Sequence, residues 1–84
     1  MFYVYVLKSK EFDRFYVGMT NNINRRLREH NKGKSKSTAF YKPWKLFFQE
    51  NFETSEEARQ REKFLKSGQG RQLIRKKWSG SSAG

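Results

Sequence analysis

The sequence predicts a small α+β domain, in which helices pack on a three-stranded sheet in the order β-β-α-β-α-α. Its 84 residues are enough for one hydrophobic core and no more. Only 35% of the residues are hydrophobic, but eight Phe, four Tyr and two Trp supply large rings for a compact core. Short β-branched and aromatic runs are separated by segments with apolar residues at helical spacing, which indicates a mixed domain.

The first two strands are predicted to form a hairpin. Residues 2–7 are β-branched or aromatic almost without a break, which indicates a strand covered on both faces. The polar residues 8–14 fit the connection, and residues 15–18 fit the antiparallel partner strand. We expect Gly18 to end that second strand.

The first helix is predicted to begin after Asn21 or Asn22, because either side chain can cap a helix, and to end near Asn31. In this helix Ile23, Leu27 and His30 fall on one face. Residues 32–42 follow, with one glycine, several lysines and several Ser or Thr. This composition predicts an exposed loop.

The third strand is predicted over residues 44–52, after Pro43. Thr54 and Glu57 have the spacing of a capping box and begin a helix that ends near Lys66. A short basic helix is expected from about Gly70 to Trp78. The domain would then span residues 1–78, and the Ser- and Gly-rich residues 79–84 are expected to form a flexible tail.

Charge and cysteine content restrict the classes of function. Nineteen Lys and Arg against eight Asp and Glu give a net charge of +11, which favours a polyanionic partner, most simply nucleic acid. The absence of cysteine excludes disulfide scaffolds, thiolate zinc sites, iron–sulfur clusters and cysteine catalysis. No apolar run approaches the roughly 20 residues of a membrane span, and we expect a cytoplasmic protein without a membrane partner, with association with the nucleoid as one option.

Basic side chains are concentrated in two stretches, and we expect both to bind the nucleic-acid backbone. Such contacts give affinity but little sequence information. The alternative is an ordinary solvated run of charge. The residues concerned are Lys32, Lys34, Lys36 and Lys42 in the loop, and Arg71, Arg75, Lys76 and Lys77 in the last helix.

Glu62 stands out because it falls within the apolar stripe of its helix, between Ala58 and Leu65 at i, i+4 and i+7. An uncompensated carboxylate on a buried face is costly. Two interpretations are open: an ion pair with one of the many basic residues, or a ligand for a hard divalent cation such as Mg²⁺. Such a cation often takes only one or two protein carboxylates.

Two further pairs suit a phosphate site. Arg26 and His30 are four residues apart, so they share one face of the first helix. A guanidinium there can bind phosphate and an imidazole can move a proton, although both side chains can also be merely packed. Tyr5 and Tyr16 lie on adjacent strands, where they form either an aromatic pair or a phenol placed against a water nucleophile.

Together these residues closely resemble the GIY-YIG nuclease superfamily, in particular its small stand-alone bacterial members. Their domain is similar to the N-terminal nuclease domain of the excision-repair subunit UvrC and of certain homing endonucleases. The two name-giving motifs match residues 3–5, Tyr-Val-Tyr, and residues 16–18, Tyr-Val-Gly. Arg26, His30 and Glu62 follow in the order of the family, and the resemblance covers residues 2–78.

The resemblance implies a three-stranded antiparallel sheet flanked by three helices, and hydrolysis of phosphodiester bonds with one Mg²⁺ or Mn²⁺ ion. By analogy Glu62 ligates the metal that stabilises the leaving oxygen, and Tyr16 activates the attacking water, helped by Tyr5. Arg26 would neutralise charge on the phosphate, and His30 would hydrogen-bond within the cluster. The implied function is a structure-selective or non-specific DNA endonuclease in repair or recombination.

The sequence departs from the family pattern at several positions. Tyr3 replaces the first glycine, and Met19 stands where some relatives have lysine. An asparagine of the family's last helix has no clear equivalent, Gln69 and Gln72 being the candidates. Without a targeting domain we expect weak binding with little sequence preference, unless a protein partner supplies targeting. The competing interpretations are a binding module that keeps the fold but cleaves poorly or not at all, and an RNA-binding accessory protein.

Overall fold

The computed structural model of the chain contains one three-stranded sheet and four helices, and it describes residues 1–83, with side chains for residues 1–77. The sheet is antiparallel throughout, with the spatial order β2-β1-β3. It therefore confirms the predicted fold class. The strands are β1 (Phe2–Ser9), β2 (Phe15–Thr20) and β3 (Trp44–Phe52), and the helices are α1 (Ile23–Asn31), α2 (Lys36–Ala39), α3 (Ser55–Lys66) and α4 (Gly68–Ala83).

The central strand β1 is covered on both faces, as its unbroken apolar sequence predicted. Val4, Tyr5, Val6 and Leu7 are all at most 1% exposed. Alternate side chains of a strand point to opposite faces, so β1 contributes to two separate clusters.

One cluster lies between the sheet and α3 and α4, and we call this side the α3–α4 face. The other lies between the sheet and α1 and α2, and we call it the α1–α2 face. The buried core of the α3–α4 face is formed by Val4, Val6, Val17, Ala58, Leu65 and Ile74. That of the α1–α2 face is formed by Tyr5, Leu7 and Trp44, with Tyr16, Ile23, Leu27 and Tyr41 packed against it.

The hairpin differs from the predicted one because β1 includes two residues assigned to the connection. Lys8 donates from its ammonium to the carbonyls of Ser9 and Phe12, both at 2.8 Å. The Ser9 hydroxyl donates to the Tyr41 carbonyl at 2.7 Å and accepts from the Phe12 amide at 3.1 Å. These bonds satisfy the polar groups, so both residues stay in the strand although they are buried.

Gly18 does not end β2, contrary to the prediction, but lies within the strand opposite Tyr5. A Cβ at this position would lie 2.5 Å from the Tyr5 hydroxyl oxygen and 2.6 Å from its Cζ. Gly18 therefore makes room for the Tyr5 ring in the middle of the sheet.

Both predicted N-caps are present. The side chain of Asn22 accepts a hydrogen bond from the Arg25 amide at 3.1 Å, which decides between the two candidate caps of α1. Thr54 accepts from the Glu57 amide at 3.2 Å and caps α3.

The predicted exposed loop over residues 32–42 is partly helical and partly buried. It contains α2, in which Thr38 is 1% exposed. The Thr38 carbonyl accepts a hydrogen bond from the Trp44 indole at 2.9 Å, which fixes α2 to the start of β3. Residues 1–83 thus contain one helix more than the three that were predicted.

Helix α4 begins at Gly68 and continues to Ala83, past the predicted end at Trp78. The side chains of residues 78–83 and all of Gly84 lie outside the described residues, so the flexible tail and the domain limit at residue 78 stay predictions. Within the described part of the chain, no helix is both long and apolar enough to cross a membrane.

Candidate active site

A chain of three buried polar side chains crosses the α1–α2 face. The hydroxyl of Tyr5, on β1, lies 3.2 Å from Nε2 of His30, near the end of α1. Nδ1 of the same imidazole lies 2.8 Å from the hydroxyl of Thr38, on α2. All three side chains are at most 1% exposed. The sheet and two helices therefore meet at one histidine.

Tyr16 completes an aromatic group around this histidine. Its ring centroid lies 4.7 Å from that of His30 and 6.1 Å from that of Tyr5. The strand register pairs Tyr5 with Gly18 and Tyr16 with Leu7, so the two tyrosines are diagonal neighbours and not direct partners. Since Gly18 carries no side chain, the Tyr5 ring can lie over it beside Tyr16.

Arg26 lies one helical turn before His30 and also interacts with Tyr5. Burial raises the pKa of Tyr5, a hydrogen bond from Arg26 opposes this, and the proximity of Tyr16 and the charge of Glu62 raise the pKa further. The pKa of Tyr5 is thus above its ordinary value, and the phenol is protonated at neutral pH. Arg26 also forms an ion pair with Glu29 on the same helix.

The protonation of His30 follows from its surroundings. Burial lowers the pKa of His30, the positive charge of Arg26 lowers it further, and Glu29 opposes both only in part. The imidazole is therefore neutral at pH 7, with one nitrogen donating and the other accepting.

The hydrogen-bond partners select the tautomer. A neutral imidazole donates from one nitrogen and accepts at the other, so it donates to only one of the Tyr5 and Thr38 hydroxyls. The Thr38 hydroxyl has a second acceptor in the Ser35 carbonyl, at 3.4 Å. Each donor has its own acceptor when Tyr5 donates to Nε2 of His30, Nδ1 of His30 donates to the Thr38 hydroxyl, and Thr38 donates to the Ser35 carbonyl.

Glu62 lies on α3, which packs on the other side of the sheet. Its neighbours Ala58 and Leu65 are fully buried, as the stripe predicted, but its own side chain is 22% exposed. Its Oε2 accepts a hydrogen bond from Lys66 at 3.2 Å. The structure thus contains the ion pair of the first interpretation, and the role of Glu62 as a metal ligand stays a prediction.

The connection between Glu62 and the tyrosine–histidine cluster is electrostatic. Its negative charge contributes to the raised pKa of Tyr5, which places the carboxylate within interaction range of the phenol. Among the described residues no hydrogen bond joins Glu62 to Tyr5, Tyr16, Arg26 or His30. Over these residues, Glu62 therefore acts on Tyr5 through its charge.

A single divalent cation is compatible with these residues only if solvent and substrate supply most of its ligands. Over the described residues, no group of three or more His, Asp or Glu side chains could hold a metal. One carboxylate suffices for a cation such as Mg²⁺, which keeps several waters and binds substrate phosphates. Lys66 is 53% exposed, so its ion pair with Glu62 is weak and a cation can replace it.

The predicted backbone-binding residues do not form one patch. The first group lies on the connection from α1 to β3, and the second on α4, so the two groups stand on elements that cover opposite faces of the sheet. Arg75 is paired with Asp13 at 3.2 Å, and Lys77 lies 5.1 Å from the centre of the Phe48 ring. All eight side chains are exposed: Lys32, Lys34, Lys36, Lys42, Arg71, Arg75, Lys76 and Lys77.

The structure adds one residue that the sequence did not single out and leaves one family feature unmatched. Thr38 contacts His30, but no periodicity marks a helix of four residues, so no sequence pattern pointed to it. Gln69 and Gln72, the candidates for the family's asparagine, are both exposed on α4. No hydrogen bond among the described residues joins either one to the cluster.

The chain is similar in sequence to proteins of one family. The sequence profile of the GIY-YIG catalytic domain matches residues 1–76. The UPF0213 protein CPE1444 of Clostridium perfringens is 43% identical over 67 residues, covering 79% of this chain and 71% of that protein. The UPF0213 protein YazA of Bacillus subtilis is 40% identical over 76 residues, covering 89% of this chain and 71% of that protein.

A solved structure gives the same result for the fold. The solution NMR structure of the UPF0213 protein BH0048 from Bacillus halodurans is 32% identical and superposes with a TM-score of 0.53, covering 88% of this chain and 82% of that one. By sequence and by fold, the chain belongs to the GIY-YIG family.

Proposed function

We propose that this protein is a metal-dependent DNA endonuclease that hydrolyses phosphodiester bonds. The observation that carries the proposal is the meeting of Tyr5, Tyr16, Arg26 and His30 in one cluster, with Glu62 close enough to affect the pKa of Tyr5. A fold alone does not establish an activity, whereas a set of chemically matched side chains at one place supports a reaction class.

The cluster offers a route for a proton. Tyr16 orients the attacking water, and the Tyr5 oxygen can receive a proton while the phenol passes its own proton to Nε2 of His30. Because His30 is neutral, Nε2 is free to take that proton. Arg26 stabilises the negative charge that develops on the phosphate.

Glu62 would hold the metal ion, Mg²⁺ or Mn²⁺. When bound, such an ion stabilises negative charge on the leaving oxygen. For this the Glu62 carboxylate must exchange its partner Lys66 for the cation. Lys66 then remains beside the site as a further positive charge.

Charge supports a nucleic acid as the partner, bound with little sequence preference, and the choice of DNA over RNA rests on the resemblance to DNA nucleases. A net charge of +11 and two groups of exposed basic residues support binding through the phosphate backbone. We propose a structure-selective or non-specific enzyme that acts in repair or recombination in the cytoplasm, with a protein partner for targeting.

A second function, a binding module for DNA or RNA that does not cleave, is favoured by one observation. Two of the charged residues required for catalysis are already paired, Glu62 with Lys66 and Arg26 with Glu29. If these pairs persist with nucleic acid bound, neither the metal nor the phosphate gains access to its ligand.

Cleavage of supercoiled plasmid, branched DNA and single-stranded DNA, with Mg²⁺, with Mn²⁺ and with a chelator, distinguishes the two functions. We expect nicking that requires the metal and that falls about a hundredfold or more in Glu62→Gln. The matched control is Glu56→Gln, an exposed residue of the same helix that should leave the rate unchanged. Wild-type protein that binds DNA but cuts no better than Glu62→Gln would show that the binding module is the correct function.

A further inference from the structure

Three aromatic rings form a group beside α2, in which Phe40 is strongly exposed, Phe12 is 37% exposed and Tyr41 is half-buried. Phe40 is 71% exposed, although it is a large apolar residue and only 35% of the residues of the chain are hydrophobic. Its ring centroid lies 5.4 Å from that of Phe12 and 5.0 Å from that of Tyr41, and the Phe12 and Tyr41 rings are 5.4 Å apart. We call Phe12, Phe40 and Tyr41 the aromatic platform.

The platform is held in place by contacts between two connections of the chain. Phe12 belongs to the β1–β2 connection, and Phe40 and Tyr41 to the α2–β3 connection. The amide of Lys10 donates to the Pro43 carbonyl at 3.0 Å, and the Ser9 hydroxyl donates to the Tyr41 carbonyl at 2.7 Å. An exposed ring fixed in this way is ready for a ligand at little cost in conformational entropy.

Basic residues lie on the two connections that carry the rings, together with the acidic Glu11 and Asp13. The guanidinium of Arg14 lies 4.9 Å from the centre of the Tyr41 ring, within the range of a cation–π contact. Lys10 and Lys42 are exposed on the same two connections, and Lys36 is exposed at the start of α2. Aromatic rings on which bases stack, beside cations that follow the phosphates, are the usual means by which proteins hold single-stranded nucleic acid.

The platform is also tied to the catalytic cluster. Phe40 is the C-cap of α2, two residues after Thr38, whose hydroxyl contacts His30 at 2.8 Å. A strand bound at the platform is therefore located relative to His30 by one short helix.

From these observations we infer that the aromatic platform binds unpaired bases of a DNA strand by stacking, so that the preferred substrate contains a single-stranded segment. The choice of DNA rests on the proposed nuclease function. The inference of stacking itself rests on the exposed aromatic surface and on the positive charges of the neighbouring basic residues.

Binding in the presence of a chelator tests this without cleavage. The affinity for a labelled single-stranded oligonucleotide and for the same length of duplex is measured by fluorescence anisotropy. Phe40→Leu keeps an apolar side chain but removes the ring, and should weaken single-strand binding about tenfold while leaving duplex binding unchanged. Phe40→Trp should retain single-strand binding. Phe64→Leu, which replaces an exposed phenylalanine of α3, is the matched control and should have no effect.

Three outcomes would overturn the inference. They are unchanged single-strand affinity in Phe40→Leu, an equal loss for duplex and single strand, and tighter binding of RNA than of DNA of the same sequence. Thermal unfolding of each variant checks that the fold is retained. Binding is measured without metal and is therefore independent of cleavage. A protein that binds as expected here but does not cleave DNA in the assay with Mg²⁺ or Mn²⁺ would refute the proposed nuclease function, and the inference about the aromatic platform would remain valid.

Discussion

The two faces of the sheet are built from different kinds of side chain. The buried core of the α3–α4 face consists only of aliphatic residues, such as Val6, Leu65 and Ile74. The α1–α2 face buries Tyr5, His30, Thr38 and other polar groups, each with a hydrogen-bond partner. Among the described residues, no buried side-chain nitrogen or oxygen lacks a partner.

This difference indicates that the two faces of the sheet contribute differently to the protein, one mainly to stability and the other mainly to the orientation of side chains. Apolar packing stabilises in proportion to the area removed from water and is indifferent to direction. A buried polar chain adds little net stability but fixes the orientation of each member, since an unpaired group in it is costly. We therefore expect changes in the buried core of the α3–α4 face to affect mainly stability, and changes among the buried polar groups of the α1–α2 face to affect mainly the cluster.

Two glycines, one on each face, give the largest expected effects. In Gly70→Ala the new Cβ would clash with backbone atoms of Phe64 and Leu65 in α3, which cannot move aside. We expect a loss of about 3 kcal/mol or more in the free energy of unfolding. In Gly18→Ala the Cβ would clash with the Tyr5 ring. The expected loss is about 1–3 kcal/mol, together with displacement of Tyr5 from His30.

Denaturant unfolding gives the two stabilities, and cleavage by the folded protein gives the activities. The comparison requires Gly70→Ala to retain the specific activity of its folded fraction, and Gly18→Ala to lose it. Gly68→Ala is the control, because a Cβ there meets nothing within 4 Å. Equal loss of activity in both variants would mean that the two faces are not separable.

Thr38→Val tests whether the polar chain fixes the tautomer of His30. The substitution keeps the shape but leaves Nδ1 without its partner, at an expected cost of about 1–3 kcal/mol in stability. His30 is the only histidine of the chain, so its ¹⁵N signals in NMR spectra are unambiguous. In the wild type we expect a protonated Nδ1 and an unprotonated Nε2, and in Thr38→Val a mixture of both tautomers.

Thr38→Ser restores the hydroxyl and should restore the wild-type spectrum and the cleavage rate. A wild-type spectrum with the proton on Nε2 would reverse the direction of the chain, and Tyr5 could not then pass a proton to His30. Identical spectra in the wild type and in Thr38→Val would show that Thr38 packs without orienting the ring.

The sequence was sufficient for features set by local pattern. Three such patterns were confirmed. Residues 2–7 predicted a strand covered on both faces, Thr54 predicted a helix N-cap, and the spacing of Ala58 and Leu65 predicted the buried side of that helix. The contact between Tyr5 and Tyr16 followed from the hairpin, although its diagonal register did not. The roles assigned to the five site residues stay predictions.

Features decided by contacts distant in sequence could not be predicted. The polar residue Ser9 looks like part of a turn until the Tyr41 carbonyl, 32 residues away, is in place to accept its hydroxyl. Gly18 resembles a strand end, since only the fold shows a ring lying over it. Likewise, α2 is too short for periodicity and exists because Thr38 and Trp44 fix it.

The smallest expected effect is the contribution of His30 to the pH dependence of stability. Burial holds the pKa of the folded imidazole below its ordinary value of about 6.5, so the unfolded chain binds the proton more readily. Stability should therefore be constant above pH 6.5 and should fall as the pH decreases from there to the folded pKa, by at most about 1.4 kcal/mol per pH unit. Unfolding by urea between pH 7.5 and 5.5, in the wild type and in His30→Gln, measures this. In His30→Gln the free energy of unfolding should no longer depend on pH in this range, because glutamine can bond to Tyr5 and Thr38 but does not titrate. An equal slope against pH in both proteins would mean that another group titrates.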